Sequence, residues 1–305
     1  MMSNQLKYSF KKESAQFFRT FKFWGIVIAV LGFAIANPIM YKISGMLFAE
    51  LNKAAESSQT AAAAVRMSIS DGAETPSDGG LLDGMGIGDM AAMYSSASST
   101  FSMSLISFVS YSLLVVMLVM MSPAGGEQKK RAMIVPMCSG LKNKNYLIPK
   151  FVIYPLSVFA LTFLGGLTAG GLCNAMYEDG KVSMGMIAFG ALLIAVYLSF
   201  IVTVYLSLGL CTSRPGLMVG AVFLGQLFLQ SMLDSMGLKD YQPFSLVTAL
   251  GEMYTVPDYD LAAKIPSILT AAGLSIVIGA LMFFLALGVL NAKKIDNEEE
   301  EKPAF

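Results

Sequence analysis

Apolar residues in this chain come in long runs separated by polar stretches. Six runs, at 23–44, 101–122, 151–174, 184–211, 217–233 and 265–290, are apolar over about 18 residues or more and almost free of charge. A run of that length and composition predicts a helix that crosses a membrane, because inside lipid the backbone must satisfy its own polar groups. The pattern therefore predicts an all-α integral membrane protein with six transmembrane helices. The first lies at 23–44, the second at 101–122, and the third to sixth share 151–291. The polar stretches are 1–22, 45–100, 123–150, 234–264 and 292–305.

Charge sorts these stretches into two sets. Segment 1–22 carries Lys7, Lys11, Lys12, Arg19 and Lys22 against the single acid Glu13. Segment 123–150 carries Lys129, Lys130, Arg131, Lys142, Lys144 and Lys150 against Glu127, and Lys293 and Lys294 follow the last run. Segments 45–100 and 234–264 are acidic, with two basic residues each against seven and five acids. Lys and Arg collect on the cytoplasmic side. The expected arrangement has the N- and C-termini cytoplasmic and the two acidic segments extracellular. Leu6, Phe10, Phe17, Phe18 and Phe21 alternate with the basic residues of 1–22, as an amphipathic interfacial helix requires. The Ala-rich half of 45–100 favours helix, Gly and Pro break 71–89, and 90–100 leads back to the membrane. This reads as an extracellular helical insert between helices 1 and 2. Pro243 to Met253 is apolar enough to dip back into the interface. Asn37-Pro38 is expected to loosen the end of the first span, and Pro215-Gly216 beside Arg214 to break the chain at an inner turn. The 292–305 tail is acidic and solvated.

Composition narrows the chemistry. The chain has 305 residues, 55% hydrophobic and 14% charged, with a mean hydropathy of +0.63. Soluble domains carry about a quarter charged residues. Net charge is zero, so no basic excess points to nucleic acid. Histidine is absent, which removes Ser-His-Asp chemistry and His-ligated zinc. Cys138, Cys173 and Cys211 are widely spaced, and the acids of 45–100 lack calcium-loop spacing. The spans hold essentially no Asp or Glu. The chain is not expected to be an enzyme, and no metal site is expected.

Two sets of residues are candidates for function. Ser104, Ser107 and Tyr111 share one face of the second span, and Gln226 and Gln230 one face of the fifth. Ser107, Tyr111, Gln226 and Gln230 read as a substrate path, or else as hydrogen bonding between helices. Ser199, Thr203 and Ser207 repeat every four residues and read as packing, as do Gly165, Gly166, Gly170 and Gly171. The second set lies in 123–150. There Arg131 to Met137 mixes basic and apolar side chains, and Ile134, Val135 and Met137 form the dry side of a short helix. Such a helix lies on a membrane interface or docks into a partner groove. Pro136 limits it to a turn or two.

This loop resembles the cytoplasmic segment of ABC-2 type transporter permeases, the membrane subunits of ATP-binding-cassette exporters. The resemblance rests on Glu127, on the segment Arg131 to Met137, on Ser139-Gly140-Leu141, and on Tyr146-Leu147 with Lys150-Phe151. The basic, aromatic amino-terminal segment, the six-span layout and Gln242-Pro243-Phe244-Ser245 add to it. Pro136 and the length of 45–100 depart from the family pattern. The resemblance implies a coupling site at Glu127, Lys129, Lys130, Arg131, Ile134, Val135 and Met137, docked on a separate ABC ATPase subunit that holds ATP and Mg. The chain itself has no Gly-x-x-x-x-Gly-Lys-Ser/Thr loop and so cannot bind ATP in the usual way, and no cofactor is expected on it. It also implies a second permease chain, as homodimer or related heterodimer, in the cell membrane of a bacterium. The expected cargo is an amphipathic or hydrophobic peptide, lipid or drug. The alternative is a non-transporting scaffold or regulatory membrane protein that binds a partner through 45–100.

Overall fold

The computed structural model describes residues 2–69, 94, 96–121, 142–212, 214–255 and 259–300. Among them run eight α-helices: α1 (Met2–Arg19), α2 (Phe21–Ile69), α3 (Ala97–Met121), α4 (Asn143–Met176), α5 (Met184–Cys211), α6 (Pro215–Ser235), α7 (Ser245–Thr255) and α8 (Leu261–Glu300). The described residues contain no strand. Six stretches are long and apolar enough to cross a membrane: Phe23–Leu51, Ala97–Met120, Asn143–Met176, Met184–Cys211, Gly216–Ser235 and Leu261–Ala292. The chain is a multi-pass membrane protein.

α5 is the centre of the bundle. It packs against α3, α4, α6, α7 and α8. The most apolar part of its span is 61% buried, against 6% for α6 and 17% for α8, which lie at the periphery. Its core face carries Ile187, Ile194, Leu198 and Tyr205. α4 lies closest to it, and the small residues of α4 permit the approach. A Cβ on Gly166 would stand 2.6 Å from Ala191 Cβ, and one on Gly170 would strike Ile187. Gly171 has nothing within 4 Å and takes no part in this contact. The hydroxyls repeating along α5 serve packing as well. Ser199 donates to Pro155 O at 3.0 Å and Ser207 to Met282 O at 2.6 Å, tying α5 to α4 and α8.

At one end of the bundle a short connection, 177–183, joins α4 to α5 and also caps α3. Ala97 N and Ser98 N donate to Asp179 O and Gly180 O, and Ser99 N donates to Ser96 Oγ. These bonds satisfy first-turn donors that no helix can satisfy internally. Gly180 has φ 65°, and a Cβ there would lie 2.8 Å from Ser96 Cβ, so both its backbone and its surroundings favour glycine. At the same end, α4's last turn is held by Lys42, which donates to Met176 O at 2.6 Å and lies 4.0 Å from the Tyr177 ring centroid. A cation there complements the helix dipole.

Several expected boundaries move. The first span does not end near residue 44. Its helix continues through Pro38 to Ile69 over 49 residues, about 74 Å at 1.5 Å per residue. The amino-terminal half of the expected insert is thus the continuation of α2 and not a separate helix. α4 begins at Asn143 rather than 151, and α8 runs on to Glu300. The break expected beside Arg214 is present: α5 ends at Cys211, and Pro215 opens α6 at its first position, where its missing N–H costs nothing. The apolar piece after the fifth span forms the 11-residue helix α7, which buries Leu246, Leu250, Met253 and Tyr254 against α3 and α5.

Candidate functional site

Glu127, Lys129, Lys130, Arg131, Ile134, Val135 and Met137 lie outside the described residues, as do Cys138 and the Gly-rich part of 45–100. The far end of the same polar stretch, 142–150, is described. It forms the first two turns of α4 and sits at a junction of three elements.

α1 brings Ser9, Glu13 and Phe17 to one face at four-residue spacing, and all three are buried. Glu13 Oε1 lies 3.1 Å from Lys150 Nζ, and Tyr154 OH donates to the same oxygen at 3.3 Å. The Lys150 side chain has no exposure at all and that of Glu13 only 8%. Lys150 Nζ also lies 5.0 Å from the Tyr146 ring centroid. Phe17 closes the pair off from one side, edge-on to Tyr154 with centroids 4.7 Å apart. One turn away, Asn145 Nδ2 donates to Gln5 Oε1 at 3.3 Å. On the other side of α4, Asn143 Nδ2 donates to Leu290 O at 3.3 Å and to Asn291 Oδ1 at 2.9 Å, at the end of α8. Leu147, Leu210 and Leu290 fill the space between α4, α5 and α8. A buried charge needs a partner, and here the partner comes from a helix about 140 residues earlier in the chain. The signals in the sequence were the single acid of a basic segment and the lysine at the start of an apolar run. Local spacing could not pair them.

The four candidate path residues fall on opposite sides of α3. Ser107 Oγ is hydrogen bonded to Tyr41 OH, Asn37 Nδ2 donates to Ser104 O at 3.5 Å, and Tyr111 stacks on Phe33 with centroids 4.9 Å apart. This face of α3 meets α2. Gln226 and Gln230 instead line a cavity of about 540 Å³ bounded by α3, α5, α6 and α7. Its α3 wall is Ile106, Val109, Ser110 and Leu113, not Ser107 or Tyr111. Gln226 also borders a second, almost wholly apolar cavity of about 640 Å³ between α6, α5 and α8. Gln226 Oε1 is buried and has no hydrogen-bond partner among the described residues. An unmet buried acceptor costs about 1–3 kcal/mol.

Above this cavity sits a charged rim. Glu252 faces Lys239 at 4.0 Å, and Asp240 faces Lys264 at 3.5 Å. Gln242 Nε2 donates to Asp234 Oδ1 at 2.6 Å, and Ser245 Oγ to Gln242 O at 2.7 Å, which fixes Gln242-Pro243-Phe244-Ser245 as the buried entrance to α7. Burial pushes the Tyr259 phenol above its ordinary value. The nearby charge of Glu252 adds to that, Lys264 opposes it, and Asp240 raises it further. No group of His, Cys, Asp or Glu that could hold a metal ion occurs among the described residues. Comparison with known protein families, with characterised proteins and with solved structures finds no match to this chain.

Proposed function

We propose that the chain is the membrane permease subunit of an ABC exporter, driven by a separate ATPase subunit and moving an amphipathic or hydrophobic substrate. The observation that carries this reading is the junction at 142–150. Force delivered to the loop before Asn143 would enter α4 through a turn clamped to α1 by Glu13–Lys150 and to α8 by Asn143–Asn291. A closely packed, fully paired junction transmits displacement, where a mobile loop would absorb it. The polar-lined cavity beside α6 offers such displacement something to act on.

In this reading the ends of α1 and α8 and the 122–141 loop face the cytoplasm, and the loop docks on the ATPase through Lys129, Lys130 and Arg131. The test is a pull-down of the solubilised protein, with and without Lys129→Glu, Lys130→Glu and Arg131→Glu together. Co-purification of an ATPase, lost on charge reversal, is the expected result. Absence of any ATPase from both samples would remove the transporter reading. An ATPase retained by the variant would move the contact to another segment.

A further inference from the structure

We propose that the cavity between α3, α5, α6 and α7 binds an amphipathic molecule whose polar end is an amine. Two polar ladders face each other across it: Gln226 and Gln230 on α6, and Thr248 and Glu252 on α7, each pair one turn apart. Apart from Ser110, whose hydroxyl is spent on Ile106 O, the remaining wall is largely apolar, with Val109, Leu113, Tyr197, Phe223 and Val247. Among the described residues no Lys or Arg lines it. Two acceptors stand at this wall: Gln226 Oε1, buried without a partner among the described residues, and Glu252, which faces a half-exposed Lys239 at 4.0 Å. A loose, solvated ion pair of that kind contributes little and yields easily to a better donor. An ammonium group carries three donors and a charge, so it can satisfy the glutamine carbonyl and the carboxylate, while a carboxylate or phosphate can do neither. A volume of about 540 Å³ holds a molecule of drug or short-lipid size, with its apolar body against α3 and α5. The site's role as a stop on a transport path rests on the transporter reading, but its occupancy does not.

The experiment uses the full chain alone in phosphatidylcholine nanodiscs. The probe is monodansylcadaverine, an aromatic body with a primary amine, followed by the rise of its fluorescence, alongside its N-acetylated form. Saturable binding of the amine is expected, with the acetylated probe about tenfold weaker for loss of one charge-assisted hydrogen bond. Glu252→Gln should bring the amine down to the level of the acetylated probe and leave the latter unchanged. Gln226→Leu should weaken both, and Val109→Trp, which fills the cavity, should abolish both. Lys181→Ala, on an exposed connection, should change neither. Equal affinity for the two probes, a signal that never saturates, or an unaltered Glu252→Gln variant would each overturn the proposal. Glu252 is 39% exposed, so its variant remains informative if Gln226→Leu fails to fold. Repeating the titration with phosphatidylethanolamine in the disc separates the two sources of an amine. Competition identifies an aminophospholipid headgroup, and unchanged binding a free amine. Binding without any ATPase capture would keep the site and remove the exporter, and ATPase capture without binding would do the reverse.

Discussion

Lys150 and Glu13 place two charges where water does not reach, and the structure compensates each with the other. The desolvation cost of such a pair is large, so its mutual attraction mostly cancels that cost and adds little net stability. What the pair does supply is register, because only one seating of α1 on α4 brings the two together. Removing one partner leaves the other buried and uncompensated. Lys150→Met should therefore destabilise the protein by about 3–5 kcal/mol. Glu13→Gln keeps an acceptor for Tyr154 and Lys150 but removes the charge that balances the buried ammonium, and should cost a similar amount. The double variant Glu13→Gln with Lys150→Met should recover most of the loss, because no charge then remains to be desolvated. Thermal unfolding of the four proteins in one detergent measures the cycle. Additive losses in the double variant would mean that the two side chains act separately. If α1 also relays force from the loop, the double variant should regain stability and still lose ATPase-coupled activity.

At the scale of the helices, close approach between α4 and α5 is decided by single atoms. Gly166→Leu puts a side chain where Ala191 Cβ stands 2.6 Å and Ala191 Cα 2.9 Å from the new Cβ, and the backbone there cannot yield. Overpacking of this kind costs about 1–3 kcal/mol. Gly171→Leu, five residues along with nothing within 4 Å, should leave the melting temperature unchanged. Equal losses at both sites would contradict the packing seen here. The sequence makes the six apolar runs plain, because a span is a local property of about 20 residues. It also marks Gly165, Gly166 and Gly170 as contact residues, while Gly171 shares their spacing without their neighbours. The helix ends were less legible. Asn143, Asn145 and Lys150 look like loop residues in isolation, and they are helical because Asn291, Gln5 and Glu13 satisfy them from far along the chain. The same limit applies to the candidate path. Helical spacing correctly puts Ser107 with Tyr111 and Gln226 with Gln230, but it cannot tell which face of α3 turns towards α6.

The molecule as a whole has two chemically distinct ends. At one, α1, the start of α4 and the end of α8 meet through Glu13–Lys150 and Asn143–Asn291, so both termini of the described chain belong to the same end. Exposed Lys7, Lys11, Lys12, Arg19, Lys142 and Lys144 lie there. At the other end the connections 177–183 and 236–244 and helix α7 carry Glu178, Asp179, Asp240 and Glu252, with Lys181 and Lys239 among them. Six spans, an even number, require this pairing of termini, and the contacts between α1, α4 and α8 satisfy it independently of charge. If Lys and Arg are retained on the cytoplasmic side here as they are in general, the basic end faces inward, and labelling tests this. With the native cysteines replaced, Lys181→Cys and Lys239→Cys should react with a membrane-impermeant maleimide in intact cells. Lys144→Cys should react only after the cells are opened. All three positions are exposed, so failure to label reports sidedness and not burial. The reverse pattern would turn the basic end outward and leave a cytoplasmic ATPase nothing to dock on. Labelling of Lys181→Cys without Lys239→Cys in intact cells would put the α4–α5 and α6–α7 connections on opposite sides. That outcome would mean that α5 and α6 do not both cross. Of the six candidates α6 would then be the one to give up its span, because it is the least buried and rests mainly on α5 and α3.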